Sequence, residues 1–402
     1  MKCGVVGLGK LGSVLAALLA NAGHEVVGVD TSELAIGSLV RPGHVEPGLD
    51  DLLDALPHGA LTATTSYSAL NGCEIVFIVT PTPSLPDGSF DASSVVLAAS
   101  EATRHTRGTI VVSSTLSPGT CDRDLRMLAI TPRLVYAPFF IALGSIIHDM
   151  QNPDISLVGS ADPGGGKAEE MACRVLADIQ VGAASFAYMT FLEAEISKLA
   201  LNCYLSLKIA FANLITEACD IVGADAYKVL DAVGRDSRVG TKFLKPGGPP
   251  AGPCLPRDLR AMERWLPRDL GIDPLLFESV RATNYATVER VVNWCLLHNS
   301  VAVLGLAYKP GTPVVDESLG LQVAERLRCA GVMVGVYDPV AVTDGRGYAS
   351  YLNAQAAIRH SDAVLVATAW PEFAEINVEG KPTLDVWGIV KPQPGVKVLG
   401  QP

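Results

Sequence analysis

Two short stretches of this 402-residue chain carry side chains whose types and spacing suit chemistry. Cys254 stands in the glycine- and proline-rich loop Lys245-Pro-Gly-Gly-Pro-Pro-Ala-Gly-Pro-Cys254, and Asp258 follows one helical turn later. A cysteine inside an apolar run is usually a packing residue, whereas one in irregular backbone is a better nucleophile candidate. Its thiolate suits covalent capture of a carbonyl when a lysine lies near. Upstream, Lys198 and Asn202 stand at i and i+4 in a helical run, and so on one helix face. Such polar pairs are more often solvated or satisfied core groups, but the cysteine loop shifts the weighting towards function. Arg238, Lys242 and Lys245 lie in a cationic segment ahead of the loop that suits either a diphosphate or plain solvation.

A second constellation opens the chain. Gly7-Leu8-Gly9-Lys10-Leu11-Gly12 lies between an apolar strand and the helical run from Ser13 to Ala22. The next strand ends at Asp30. The glycines let backbone approach a pyrophosphate at a helix N-terminus, and Asp30 is spaced to accept hydrogen bonds from an adenosine ribose. An acid there repels a 2′-phosphate, which favours NAD over NADP. Gly7, Gly9, Leu11, Gly12 and Asp30 are therefore the candidate cofactor contacts. Thr82, Ser114 and Thr115 sit at C-terminal strand ends, where ligands lie in open α/β sheets; turn capping is the alternative.

These groups must be positioned by alternating strands and helices. The run from about Leu192 to Val222 has helical periodicity without proline and would span roughly 45 Å. It is apolar over much of its girth, which predicts burial and a share in a dimer interface. After about Ser300 a second β-α-β pattern begins, without a full glycine fingerprint. The expected fold class is α/β, with two Rossmann-like doubly wound domains joined by a long central helix and a small helical domain. The expected boundaries are 1–190, 191–290 and 291–402.

Composition narrows the rest. Hydrophobic residues make up 49% of the chain, enough for well-buried layers. Net charge is −11 without a basic stripe, which argues against nucleic acid. No apolar run reaches the roughly 18 residues that a membrane helix needs, and no signal segment is visible, so no membrane partner is expected. The nine cysteines include no C-x-x-C pair, which argues against a metal site and a disulfide framework and fits a cytoplasmic chain. Cys3, Cys203, Cys219 and Cys295 read as small core residues.

In this order of motifs the chain resembles the UDP-glucose/GDP-mannose dehydrogenase family. The resemblance runs through Gly7–Gly12, Asp30, Glu46-Pro-Gly-Leu49, Pro81-Thr82-Pro83, Ser114-Thr115, Asn152-Pro-Asp154, Lys198 with Asn202, Phe243-Leu-Lys245, Cys254 with Asp258, Gly305-Leu-Ala-Tyr-Lys309 and Tyr337-Asp-Pro339. It implies NAD-dependent oxidation of a nucleotide-sugar hydroxymethyl to a carboxylate, in a homodimer joined through the central helix. Cys254 would form a thiohemiacetal and then a thioester. Lys198 and Asn202 would stabilise the oxyanion, Asp258 would support water activation, and Thr115 would help place a water. Arg238 would reach the sugar or diphosphate, in its own or a neighbouring subunit. Phe243, Lys245 and Lys309 would line the nucleotide-sugar site, with Phe139 and Leu143 as a more apolar wall.

The departures fall near the chemistry. Phe139 and Leu143 stand where the family carries glutamates, Pro249-Pro250-Ala251-Gly252-Pro253-Cys254 replaces the family's Gly-Phe-Gly-Gly-Ser-Cys, and Asp316 replaces an arginine. Three readings follow: a complete four-electron dehydrogenase, a dehydrogenase of an unusual nucleotide-linked alcohol or one that stops at the aldehyde, and a non-catalytic relative. Retention of Lys198, Asn202, Cys254 and Asp258 favours turnover. Loss of a positioned acid or base typically slows a reaction by roughly 10²–10⁴-fold.

Overall fold

The computed structural model describes residues 1–39, 41, 43–128, 130–342 and 347–402, which form two compact units, Met1–Ala200 and Leu201–Pro402. The division falls inside one helix, Phe191–Val222.

The first unit is built on eight strands: β1 (Lys2–Val6), β2 (Glu25–Val29), β3 (Leu61–Thr64), β4 (Ile75–Ile78), β5 (Thr109–Val112), β6 (Leu134–Tyr136), β7 (Ser156–Ser160) and β8 (Phe186–Thr190). They lie in the order β3-β2-β1-β4-β5-β6-β7-β8, and β6 and β7 run antiparallel while the other pairs are parallel. The order of the first six is that of a dinucleotide-binding sheet. Sequence explains the burial: β4 reads Ile-Val-Phe-Ile and β5 Thr-Ile-Val-Val, apolar on both faces, as a sheet covered by helices on both sides requires. Two apolar clusters fill those faces, one around Val14, Leu15 and Phe77, the other around Val76, Ala99 and Ile110.

The second unit repeats the plan. Its strands are β9 (Ser300–Leu304), β10 (Met333–Tyr337), β11 (Ala349–Ser350), β12 (Ala363–Val366), β13 (Thr383–Asp385) and β14 (Val396–Val398). All pairs are parallel, in the order β11-β10-β9-β12-β13-β14. This is the same permutation as in the first unit. Helix Leu319–Cys329 follows β9. Ser318 caps it, its hydroxyl accepting from the Leu321 N–H at 3.3 Å, while Glu317 lies outside with φ 52°.

The long helix Phe191–Val222 corrects one sequence expectation. An 18-residue window in it has a mean hydropathy of 1.4, enough by length and composition for a membrane span, with 44% of that window buried. Isolated polar residues such as Asn202 and Lys208 interrupt the apolar run without lowering its average far enough. Two of its polar side chains are bonded within the second unit, as in a core helix: Asn202 to Asp258 and Asn213 to the Gly248 carbonyl. Cys3, Cys203, Cys219 and Cys295 are buried, as their apolar surroundings predict.

Candidate active site

The glycine turn follows β1 as predicted. Gly7 has φ 94°, and a Cβ on Gly12 would stand 1.8 Å from the Gly7 carbonyl oxygen. Only glycine permits that contact of turn and helix. A Cβ on Gly9 would meet nothing within 4 Å, so this position is open to a ligand. Helix Lys10–Asn21 begins directly after it. Asp30 directly follows β2; its Oδ2 accepts from Leu8 N at 2.7 Å and its Oδ1 from Ser32 N at 2.8 Å. With one N–H donor on each oxygen, the carboxylate keeps accepting capacity for ribose hydroxyls. Leu11 is half-buried beside the turn. This open glycine, helix N-terminus and acid fit NAD.

Three of the remaining candidates in this unit form a strand-end network. The Thr82 hydroxyl donates to the Thr115 carbonyl at 2.8 Å, and the Ser114 hydroxyl donates to the Thr80 carbonyl at 2.6 Å. Both hydroxyls are thus committed as donors to loop structure and retain acceptor capacity. Thr115 itself is half-buried.

Lys198 is only 7% exposed. Its Nζ donates to the Phe139 carbonyl at 2.8 Å and lies 4.4 Å from the Phe140 ring centroid. The Phe139 side chain instead packs against the apolar cluster that contains Met150 and Leu176. Leu143 packs against the same cluster. The lysine therefore meets the backbone of residue 139, and a glutamate substituted there would have to leave apolar packing to reach it.

Two buried carboxylates were not singled out from sequence. Glu46 accepts from Gly144 N at 2.8 Å and Ile146 N at 2.5 Å, fixing the end of the segment that bears Phe139 and Leu143. Glu195 accepts from Gly119 N at 2.6 Å and Cys121 N at 2.8 Å. The motif Glu46-Pro-Gly-Leu49 drew attention to the first only as part of a family pattern.

In the second unit Cys254 is exposed at the cap position of helix Leu255–Leu270. First-turn N–H groups favour an anion there. Asp258, one turn on, is fully buried. Its Oδ2 accepts from Asn202 Nδ2 at 2.6 Å and its Oδ1 from Arg257 Nε at 3.1 Å. The structure thus brings Asn202 and Asp258 together, and adds Arg257, which the sequence reading passed over.

The loop before Cys254 is pinned by close packing. A Cβ on Gly247 would stand 2.6 Å from the Trp387 ring, and one on Gly252, at φ 82°, would stand 2.7 Å from the Tyr308 ring. Gly252 N donates to the Asp316 carbonyl at 2.9 Å. Asp316, in place of the family arginine, thereby holds the loop through its backbone. Lys309 Nζ lies 5.8 Å from the Tyr308 ring centroid. Phe243, at φ 61°, and Lys245 are exposed, and Arg238 is exposed in a two-point pair with Asp236.

The two Rossmann-like turns differ in one decisive respect. A Cβ on Gly320 would stand 2.0 Å from the Gly305 carbonyl, the counterpart of Gly12 and Gly7. Asp338 directly follows β10 as Asp30 follows β2. Yet its Oδ2 accepts from Leu306 N, Ala307 N and Trp370 Nε1, and its Oδ1 from Val340 N and Ala341 N. Those five N–H groups leave little capacity for a ribose diol. The second unit keeps the fold and uses its acid internally.

The first unit's turn and acid, together with an exposed cysteine backed by a buried carboxylate, define a dinucleotide-dependent oxidoreductase. The chain belongs to the UDP-glucose/GDP-mannose dehydrogenase family: its NAD binding domain matches residues 1–177, its central domain 192–286 and its UDP binding domain 302–392. Its cofactor is NAD. The chain is 32% identical over 414 residues to UDP-glucose 6-dehydrogenase AglM of Haloferax volcanii, covering 94% of each chain. It is 33% identical over 408 residues to UDP-glucose 6-dehydrogenase TuaD of Bacillus subtilis, covering 95% of this chain and 87% of the relative. The structure of a UDP-glucose dehydrogenase from Pyrobaculum islandicum matches with a TM-score of 0.88 at 32% identity, covering 99% of this chain and 96% of that one.

Proposed function

We propose that the chain oxidises the hydroxymethyl group of a UDP-linked sugar, UDP-glucose foremost, to the carboxylate through Cys254. NAD, bound at Gly7, Gly9, Leu11, Gly12 and Asp30 beside Thr82 and Ser114, supplies the hydride acceptor. Loss of one hydride to NAD would turn the alcohol into the aldehyde, and the Cys254 sulfur adds to its carbon as a thiohemiacetal. Loss of a second hydride to a second NAD would leave a thioester, and water cleaves that to the acid and the free thiol. Lys198 and Asn202 stabilise the oxygen that gains charge in each addition. Asp258 orders Asn202 and supports water activation, and Thr115 places the water. Arg238, Phe243, Lys245 and Lys309 contact the nucleotide sugar, with Phe139 and Leu143 shaping the reacting end.

The observation that carries this reading is the exposed Cys254 at a helix cap with buried Asp258 one turn on, held by Asn202 at 2.6 Å. The test is intact-mass analysis during turnover with NAD and UDP-glucose. The wild type should show an acyl adduct on Cys254 and release the acid. Cys254→Ala should show neither, and acid formation by that variant would overturn the role.

A second reading rests on Phe139, which takes the place of a glutamate in the family pattern and supplies no acid or base for hydrolysis. In that reading the thioester accumulates, or the reaction stops at the aldehyde. The same mass analysis separates the two by adduct lifetime and product.

The working organisation is an NAD domain over 1–190, a central domain over 191–290 and a nucleotide-sugar domain over 291–402. The proposed assembly is a homodimer through the long helix. Tyr204, Phe211, Leu214 and Ile221 are exposed apolar residues on it, which supports that assignment. Scattered charge and nine free cysteines support a cytoplasmic protein without nucleic-acid or membrane partners.

A further inference from the structure

We infer that Glu195 is a positioning residue for Thr115, gripping the loop that carries it through the Gly119 and Cys121 N–H groups. The inference rests on the proposed role of Thr115 in the dehydrogenase.

The loop leaves β5 at Ser113 and reaches the irregular helical segment Cys121–Leu125. Its first half is tied to neighbouring strand ends through Ser114 and Thr115. Leu116 N donates to the Tyr136 hydroxyl oxygen at 3.4 Å, a long contact. Its far end turns at Gly119, with φ 85°, and is held by Glu195. Glu195 is fully buried, and its two oxygens each accept one backbone N–H. A two-oxygen acceptor fixes both the position and the tilt of the segment it holds. No neutral side chain of this length accepts equally well at both oxygens, since an amide presents one acceptor and one donor.

The same turn of the long helix carries Lys198, whose Nζ holds the Phe139 carbonyl. Glu195 and Lys198 thus anchor two separate segments of the first unit to one helical turn. Burial pushes the Glu195 carboxyl up to about 7 against the pull of the Cys121 and Gly119 N–H groups, and Asp122 adds to the upward push. The ionisable groups around it are the Cys121 thiol, Asp122 and, one turn along the helix, Lys198. Protonation converts one accepting oxygen into an O–H donor, which weakens one of the two grips. Loop order, and with it turnover, should therefore rise with pH through about 7.

The test compares wild type, Glu195→Gln and Glu195→Asp in NADH formation from UDP-glucose, with NAD affinity measured alongside. Glu195→Gln should lose roughly 10–100-fold in kcat, the scale of a small misplacement of a reacting group, with KM and NAD affinity little changed. Its kcat should lack the rise through neutral pH, and Glu195→Asp should recover part of both. Wild-type kcat and pH profile in Glu195→Gln would overturn the inference. So would parallel loss of NAD affinity in both variants, which marks a merely structural carboxylate. A wild type inert towards every UDP-sugar would sink the dehydrogenase reading itself, and the role of Thr115 with it.

Discussion

Replacing Asp258 by asparagine should separate the two duties of the buried carboxylate. Asp258 is completely buried; Arg257 reaches its Oδ1 through Nε and Nη2, both at 3.1 Å, and Asn202 reaches its Oδ2 at 2.6 Å. Asparagine offers one oxygen and one NH2 group. If the oxygen faces Asn202, the NH2 group faces the donor-only guanidinium. If it turns round, two amide NH2 groups meet. Asn202 can turn its own amide to restore the hydrogen bond, but in every arrangement Arg257, mostly buried, loses its counter-charge. Breaking a buried pair in this way costs about 3–5 kcal/mol. For a unit of this size each kcal/mol moves Tm by roughly 2–4 °C, so the second unit should melt about 6–20 °C lower. Differential scanning calorimetry measures the shift. At 25 °C, where the variant stays folded, kcat should fall roughly 10²–10⁴-fold. Asn202→Ala leaves Arg257 on Asp258 and should cost about 1.5–3 kcal/mol. A Tm within 2–3 °C of wild type for Asp258→Asn, or a larger loss for Asn202→Ala, would refute the reasoning.

Three further outcomes follow from the same structure. The Glu195 pKa is raised by folding, so its stabilising contribution is complete below about pH 4.5 and is lost as pH rises through about 7. Between those pH values the stability gap between wild type and Glu195→Gln should move by about 3 kcal/mol in the variant's favour; urea unfolding followed by circular dichroism tests this, and a constant gap contradicts it. Gly252→Ala forces a Cβ into the Tyr308 ring at φ 82°, which should displace the cysteine loop and lower kcat while leaving NAD affinity intact. Equal kcat by steady-state assay would show that the loop accommodates the methyl group. Asp30→Ala removes the ribose acceptor and the charge that repels a 2′-phosphate, and should weaken NAD by about tenfold while narrowing the NAD-to-NADP affinity ratio in calorimetry. An unchanged ratio would assign cofactor choice elsewhere.

The fold was largely legible because its determinants are local. Apolar strands, the glycine turn and the proline-free run near residues 191–222 each announce an element within a few positions. The second turn was half-hidden for a geometric reason. Gly305 and Gly320 meet as Gly7 and Gly12 do, but a long loop separates them in sequence, so no compact glycine fingerprint appears. Asn202 and Asp258 each stand out in the sequence, but their hydrogen bond joins positions 56 residues apart and no spacing announces it. The site was opaque where backbone takes part. The partners of Glu46 and Glu195 are N–H groups far along the chain, and any residue except proline supplies an N–H. Phe139 shows the same limit. Its side chain suggested an apolar wall, whereas Lys198 meets its carbonyl. The hydropathy of the long helix misled in the opposite sense, since single polar residues hid a stretch apolar enough on average to span a membrane.

The most direct test of the account is the number of NADH molecules formed per molecule of limiting UDP-glucose, with the product identified by mass. Complete oxidation through Cys254 predicts two NADH and the uronic acid. One NADH with an aldehyde product would contradict hydrolysis of a Cys254 thioester. No NADH from UDP-glucose or any other UDP-sugar, with NAD still bound, would contradict the dehydrogenase account as a whole.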